Sequence, residues 1–225
     1  MTGVQTCALP ILLFRDFIGG ESVDCEWRDE GLLLVYKSAR EFDQYAATAE
    51  LLQREFSIQA TAYAGEAVRE LEPTLRAGMA GGWHFPGDAH VRPDRLMNGL
   101  KTAIERHGGI IREQVEVTSL RIESQRATAV ETSVGSMTAE LVVLSTGAEA
   151  PRFAKSLGCR IPIQPGKGYS LTMPSQRNPP RIPMIFEEHH VAVTPLDSAF
   201  RVGSTMEFTG RSEERRVGKE CRSRG

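Results

Sequence analysis

The stretch that most constrains the fold is Ala139-Glu140-Leu141-Val142-Val143-Leu144-Ser145-Thr146-Gly147-Ala148. A continuous β-branched and leucine run, closed by small polar residues and then glycine, predicts a fully buried parallel strand. Only a strand covered on both faces loses the polar alternation of a half-exposed one. Open α/β sheets bind ligands at the carboxyl ends of such strands. Any buried strand followed by a glycine turn has the same pattern, so its surroundings must separate a cofactor strand from ordinary core.

Upstream, Val117 to Ile122, Ala127 to Thr132 and Ser136 to Glu140 alternate over short lengths between polar turns. They predict a three-stranded meander running directly into the apolar strand, and Glu149 to Leu157 predicts a short helix after it. Nearer the amino terminus, Leu12 to Ile18 reads as either a strand or the end of a helix, and Gly31 to Tyr36 as a strand. Ser38-x-x-Glu41 is a capping box, and Phe42, Tyr45, Ala49, Leu52 and Phe56 follow at helical spacing. That aromatic stripe is read as core. A short helical segment over Gly65 to Leu71 stops at Pro73, and Met79 to Phe85 is extended, with glycines that permit close backbone approach. The loop Pro86 to Pro93 enters a helix through proline at its first position. On that helix Leu96, Leu100, Ala103 and Ile104 share a face, while Arg95, Lys101, Glu105 and Arg106 form its solvated side. Beyond Cys159 the pattern becomes antiparallel, with strands expected at Gly168 to Met173, Met184 to Glu187, Val191 to Thr194 and Phe200 to Glu207.

The two ends differ in texture from the middle. Residues 1–11 carry no charge, and residues 211–225 are dominated by charge and serine. Both strings resemble translated sequencing-library adapter, and are expected to be a non-native leader and tail on a reading frame cut at both sides. Without the six basic and three acidic residues of that tail, 21 basic face 26 acidic residues, a net charge of about −5. Nucleic acid is therefore not an expected partner. Cys25 and Cys159 then remain, with no zinc-ligand spacing, and are expected as buried thiols. No apolar run approaches the roughly 20 residues of a membrane span, so a cytoplasmic location is the default.

Glu187-Glu188-His189-His190 is dense in metal-ligating groups, but neighbours on a strand point to opposite faces and cannot all converge on one ion. No metal site is expected; the alternatives are lining of a substrate pocket or a solvated strand end. Tyr169 either lines the substrate pocket or packs with an ordinary hydrogen bond. His90 reads more readily as a loop-stabilising histidine than a catalytic one.

The collinear series Gly87-Asp-Ala-His-Val-Arg-Pro93, the meander from Val117, Leu144-Ser-Thr-Gly-Ala148, Ile163-Gln-Pro-Gly-Lys-Gly-Tyr-Ser-Leu171 and Arg201-Val-Gly-Ser-Thr-Met206 resembles the FAD-dependent D-amino-acid oxidase superfamily. Within it the chain is most similar to the D-amino-acid dehydrogenase and glycine oxidase branch, over residues 12–210. The resemblance implies an α/β fold: a partial FAD-binding, Rossmann-like domain with a β-meander, plus an antiparallel-sheet substrate domain. The expected parts are substrate domain at 12–86 and 159–210, and the second half of the FAD-binding domain at 87–158.

By the same resemblance FAD is the cofactor. Val117 would lie beside the adenine, Thr146, Gly147 and Ala148 at the flavin nucleotide, and His90 near the flavin. Lys167, Gly168 and Tyr169 would lie on the strand that enters the substrate sheet, and Tyr169 and His190 are the candidate substrate contacts. The implied reaction is hydride transfer from Cα of a D-amino acid to the flavin, then hydrolysis of the imino acid to a keto acid and ammonia; no protein acid or base is assigned as catalytic. A dehydrogenase of this kind would touch the membrane peripherally through its electron acceptor. The alternatives are oxidation of glycine, sarcosine or a 2-hydroxy acid, or an inactive truncated product that does not retain FAD. The family's opening GxGxxG turn, which grips the pyrophosphate, and its carboxylate-binding arginine have no counterpart in the sequence.

Overall fold

The computed structural model describes residues 8–208 apart from Gln176. Most of the expected leader and all of the expected tail lie outside the described residues. Helix α1 spans Ala8–Glu21, so the segment left open between strand and helix is helical, and it crosses the expected leader boundary. After it come β1 (Leu32–Tyr36), α2 (Ala39–Phe56), β2 (Thr61–Ala64), α3 (Ala67–Leu71), β3 (Gly81–Phe85) and α4 (Pro93–Arg106). The meander is β4 (Val117–Glu123), β5 (Arg126–Thr132) and β6 (Gly135–Met137). A 3-10 turn over Gly147–Phe153 leads into α5 (Ala154–Leu157), and β7 (Lys167–Pro174), β8 (Met184–Phe186), β9 (Val191–Pro195) and β10 (Ala199–Glu207) follow.

The described residues divide into two compact units, residues 8–110 with 169–205, and residues 111–168 with 206–208. This division differs from the expected domains at residues 87–110, the loop and helix α4, which fall in the first unit, and at residues 159–168, which fall in the second. The reason for the first difference is local: Gly99 of α4 presses on Val23, and Arg92 N–H donates to the Cys25 carbonyl at 2.8 Å.

The first unit is built on a seven-stranded sheet of order β2-β3-β1-β8-β9-β10-β7. The later strands, expected to complete one substrate domain with residues 12–86, share a single mixed sheet with β1, β2 and β3. They join β1 through β8, and the β1–β8 pair is parallel while β1–β3, β2–β3, β8–β9 and β9–β10 are antiparallel. Strand β1 is central and apolar throughout, so alternate residues serve opposite cores. Leu33 and Val35 pack with Val68, Leu75, Ile182 and Met184 on one face. Leu34 and Tyr36 pack with Phe42 and Phe85 on the other, where the expected stripe of α2 closes the core. Strand β2 escapes the sequence reading because Thr-Ala-Tyr-Ala is too short and too small to show alternation, yet it pairs with β3 along its whole length.

In the second unit β4, β5 and β6 form an antiparallel meander, with Leu120 and Ala129 buried. The expected buried strand over Leu141–Ser145 is not a strand. These residues form no regular secondary structure and pair with no strand among the described residues, with Leu141 79% and Val143 76% exposed. A strand exists only through its neighbours, and a run apolar on both faces requires two covers. Among the described residues neither a pairing strand nor a second cover is present. Cys159 is exposed, in place of the expected buried thiol, because it directly follows the left-handed end of α5 at Gly158; Cys25 is buried as expected.

Candidate functional site

The residues expected at the cofactor fall in both units. In the second, Val117 opens β4 and lines an open apolar groove of about 460 Å³ together with Val130, Met137, Leu141 and Val143. Thr146 and Ala148 are exposed, and Gly147 sits between them at φ +52°. That left-handed conformation strains any side chain, although the space a Cβ would enter is open. The turn therefore presents bare backbone to solvent at the end of the apolar run.

His90 belongs to the first unit and is a joint between segments. Its backbone exchanges hydrogen bonds with Arg28 at 2.9 and 3.0 Å, and its Nε2 lies 3.0 Å from the Pro195 carbonyl at the end of β9. A carbonyl only accepts, so Nε2 carries the proton and Nδ1 is bare. Nδ1 is buried without a hydrogen-bond partner. Burial, together with the Arg28 charge, holds the imidazole below its ordinary pKa. Tyr169 is partly exposed on the edge strand β7. His190 is exposed in a left-handed turn before β9. Tyr169 and His190 are not on adjacent strands, since β9 and β7 are separated by β10.

The Glu187–His190 cluster is resolved by one contact that no local sequence signal announces. Glu188 Oε1 accepts the backbone N–H groups of Lys37 and Ser38 at 2.7 and 2.8 Å, at the amino end of α2. Ser38 Oγ accepts the Glu41 N–H at 3.4 Å, so the expected capping box is half formed and Glu188 supplies the other half from across the sheet. Burial pushes the Glu188 carboxyl up, but the Ser38 and Lys37 N–H groups outweigh it and hold it below the ordinary carboxylate range. No group of three metal-ligating side chains occurs among the described residues.

Two further buried carboxylates hold the first unit together, and the sequence reading missed both. Glu72 is fully buried; Oε1 accepts from the Thr74 N–H and hydroxyl at 3.1 and 2.7 Å, and Oε2 from the Arg181 and Ile182 N–H groups at 2.8 and 3.0 Å. Glu26 accepts from Arg92 Nη1 and the Asp197 N–H, both at 3.0 Å, and pairs with Arg95 Nε at 3.2 Å. Arg95 is 40% exposed and reaches from the solvated side of α4 to both the buried Glu26 and the exposed Asp24. On the Leu33 face of the sheet, a half-open cavity of about 460 Å³ is lined by Met79, Met184, Phe186, Val193 and Phe200, with Arg76 at its margin.

Comparison with known proteins gives the context for these parts. A D-amino acid dehydrogenase of Cereibacter sphaeroides is 32% identical over 188 residues, covering 81% of this chain and 43% of the relative. One from Methylobacterium nodulans is 31% identical over 202 residues, covering 87% and 48%. The chain thus spans less than half the length of these curated relatives. In fold it is similar to glycine oxidase from Geobacillus kaustophilus, at TM-score 0.78 and 22% identity over 89% of this chain and 54% of that one. The profile of the family described as DAO, FAD dependent oxidoreductase, matches residues 5–222, nearly the whole chain, and the chain belongs to that family.

Proposed function

We propose that this chain is part of a longer FAD-dependent enzyme that oxidises D-amino acids. The observation that carries the reading is the 32% identity to a D-amino acid dehydrogenase over 188 residues. In this reading the second unit turns Val117, Thr146, Gly147 and Ala148 toward the cofactor. The seven-stranded sheet of the first unit carries the substrate side, with Tyr169 and His190 facing the substrate and His90 the flavin. A cytoplasmic enzyme that meets the membrane only through its electron acceptor is consistent with the described residues, among which no helix is long and apolar enough to cross a membrane.

FAD is the family's cofactor. The described residues do not by themselves fit it. The strand expected to lead to Gly147 is unpaired, and the helical turn after it is a 3-10 segment interrupted by Pro151. The strand-to-helix turn that does enter a full helix, β1 into α2, has the N–H groups of Lys37 and the capping Ser38 taken by the Glu188 carboxylate. A diphosphate placed there would meet a negative charge instead of free donors. This favours a second reading for the isolated 225 residues, an inactive product that does not retain FAD.

Dye-coupled turnover by the longer protein, with D-alanine, glycine, sarcosine and a 2-hydroxy acid compared side by side, tests the first reading. Preference for D-alanine is expected. Preference for glycine, sarcosine or the hydroxy acid would overturn the D-amino-acid assignment.

A further inference from the structure

We propose that the half-open cavity on the Leu33 face of the seven-stranded sheet is a binding site for a small apolar carboxylate, an arylalkyl or branched-chain acid, with Arg76 taking the carboxylate. None of the residues proposed as cofactor or substrate contacts lines this cavity, so the site is independent of the flavoenzyme reading.

The fold holds the cavity open. Its two rims are the segment after α3, at Thr74 to Arg76, and the segment before β8, at Asn178 to Pro180. Glu72 clamps the two segments together, since one carboxylate oxygen accepts from Thr74 and the other from Arg181 and Ile182. Pro179 and Pro180 stiffen the second rim, because each ring fixes φ and leaves no N–H for a collapsed conformation to use. Between the rims lie Met184 and Phe186 of β8, Val193 of β9 and Phe200 of β10, together with Met79. A ligand entering such a preformed site does not have to order its walls, a cost that otherwise subtracts from affinity.

The lining selects the ligand. A volume of about 460 Å³ suits a single-ring compound, and the walls are thioether, aromatic and aliphatic. No acidic side chain lines the cavity among the described residues. Arg76 is the cation at its margin, and it makes no hydrogen bond or ion pair among the described residues. Its neighbours are committed: Arg69 Nε donates to the Leu75 carbonyl at 3.2 Å and Arg181 Nη2 to the Leu71 carbonyl at 3.1 Å. The Thr74 hydroxyl is taken by Glu72, which leaves Asn178 as the second polar group at the mouth. A free guanidinium matches a carboxylate through two parallel N–H bonds. One such cation beside apolar walls fits a monoanion with an apolar body. A phosphate dianion would leave most of its oxygens against carbon.

Titration calorimetry of the 225-residue chain with phenylacetate, phenethyl alcohol and acetate tests the proposal. Phenylacetate is expected to bind about fivefold more tightly than the alcohol, the difference a partly exposed ion pair contributes, and acetate is expected not to bind. Arg76→Gln should remove that preference and leave the affinity for the alcohol unchanged, since residue 76 is exposed and its loss opens no core. Val193→Phe, which fills the cavity from β9, should abolish binding of both ring compounds. Equal affinity of acid and alcohol for the native chain would remove Arg76 as the clamp, and acetate binding as tight as that of phenylacetate would reduce the site to an adventitious charge. Retained binding by Val193→Phe would place the ligand elsewhere. In the longer protein, an affinity for phenylacetate that Arg76→Gln leaves unchanged would mean that the cavity is filled there. Each of these results overturns the proposal, whereas failure of D-alanine turnover strikes the flavoenzyme reading alone.

Discussion

At the scale of single residues, buried acceptors fix where distant segments meet. Glu72 is the clearest case, because four donors converge on two oxygens that have no access to water. Glutamine has nearly the same shape but turns an NH2 toward one pair of those donors. Each buried donor then loses its acceptor at the cost of desolvation. Glu72→Gln is expected to destabilise the fold by about 2–4 kcal/mol, read from the urea midpoint at unchanged slope. His90 makes the complementary prediction in pH. Its folded pKa is depressed, chiefly by burial. Between that value and the unfolded one, near 6.5, the unfolded chain binds more protons, so stability falls as pH drops through this window. The urea midpoint of the native protein should decline on acidification from about pH 7 to about pH 5.5. His90→Gln keeps a donor for the Pro195 carbonyl without a titrating group, and should flatten that decline; an unchanged slope would remove His90 from the acid response.

At the scale of elements, the sequence was legible wherever a local pattern coincided with local pairing. The first two strands of the meander, the stripe of α2 and the proline entry of α4 all appear within a residue of their expected bounds, while the third meander strand ends at Met137, three residues short of the expected Glu140. Each is specified by residues that touch their own sequence neighbours. Contacts across the sheet were not legible. Glu188 reaches α2 from 150 residues away, and nothing near it in sequence marks it as a cap. Its folded pKa is depressed, so its contribution is present above the ordinary carboxylate range and lost as pH falls through the lowered value. Glu188→Gln should therefore weaken α2 at neutral pH and leave the most acidic part of the unfolding profile little changed. Close approach of strands was only half legible. The expectation that Gly81 and Gly82 allow it holds, and its extent is set by neighbours from four other elements, β2 and α2 at Gly81 and β1 and α3 at Gly82. A Cβ on Gly82 would lie 2.9 Å from both Leu33 Cδ1 and Val68 Cγ2, and 3.0 Å from the Leu34 carbonyl. Gly82→Ala should thus cost about 1–3 kcal/mol by overpacking the Leu33 core, measured by thermal or urea unfolding.

At the scale of the whole molecule, the misread strand is the informative failure. The pattern of Leu141–Ser145 was read correctly as two-sided apolar, but a pattern states what a segment needs and not whether the need is met in the same stretch of chain. The family resemblance, by contrast, was legible because it rests on turns and motifs in collinear order, and these survive when a pairing strand does not. An exposed substitution can then have opposite effects in the short and the long protein. Val143 is 76% exposed here, so Val143→Lys should change the stability of the 225-residue chain by no more than about 0.5 kcal/mol. The added charge on an apolar edge should also reduce self-association of that chain, seen as a smaller weight-average mass by sedimentation. In the longer protein the same lysine would face an apolar neighbour, and burying its charge unpaired forces a choice between displacing the strand and deprotonating the amine. Flavin absorbance after gel filtration reads the consequence. The native longer protein should emerge yellow and the Val143→Lys variant largely colourless, while the 225-residue chain should be colourless with either residue. A yellow variant in the longer protein would mean that residue 143 faces water there too, and that the apolar run is not the strand on which the cofactor turn depends.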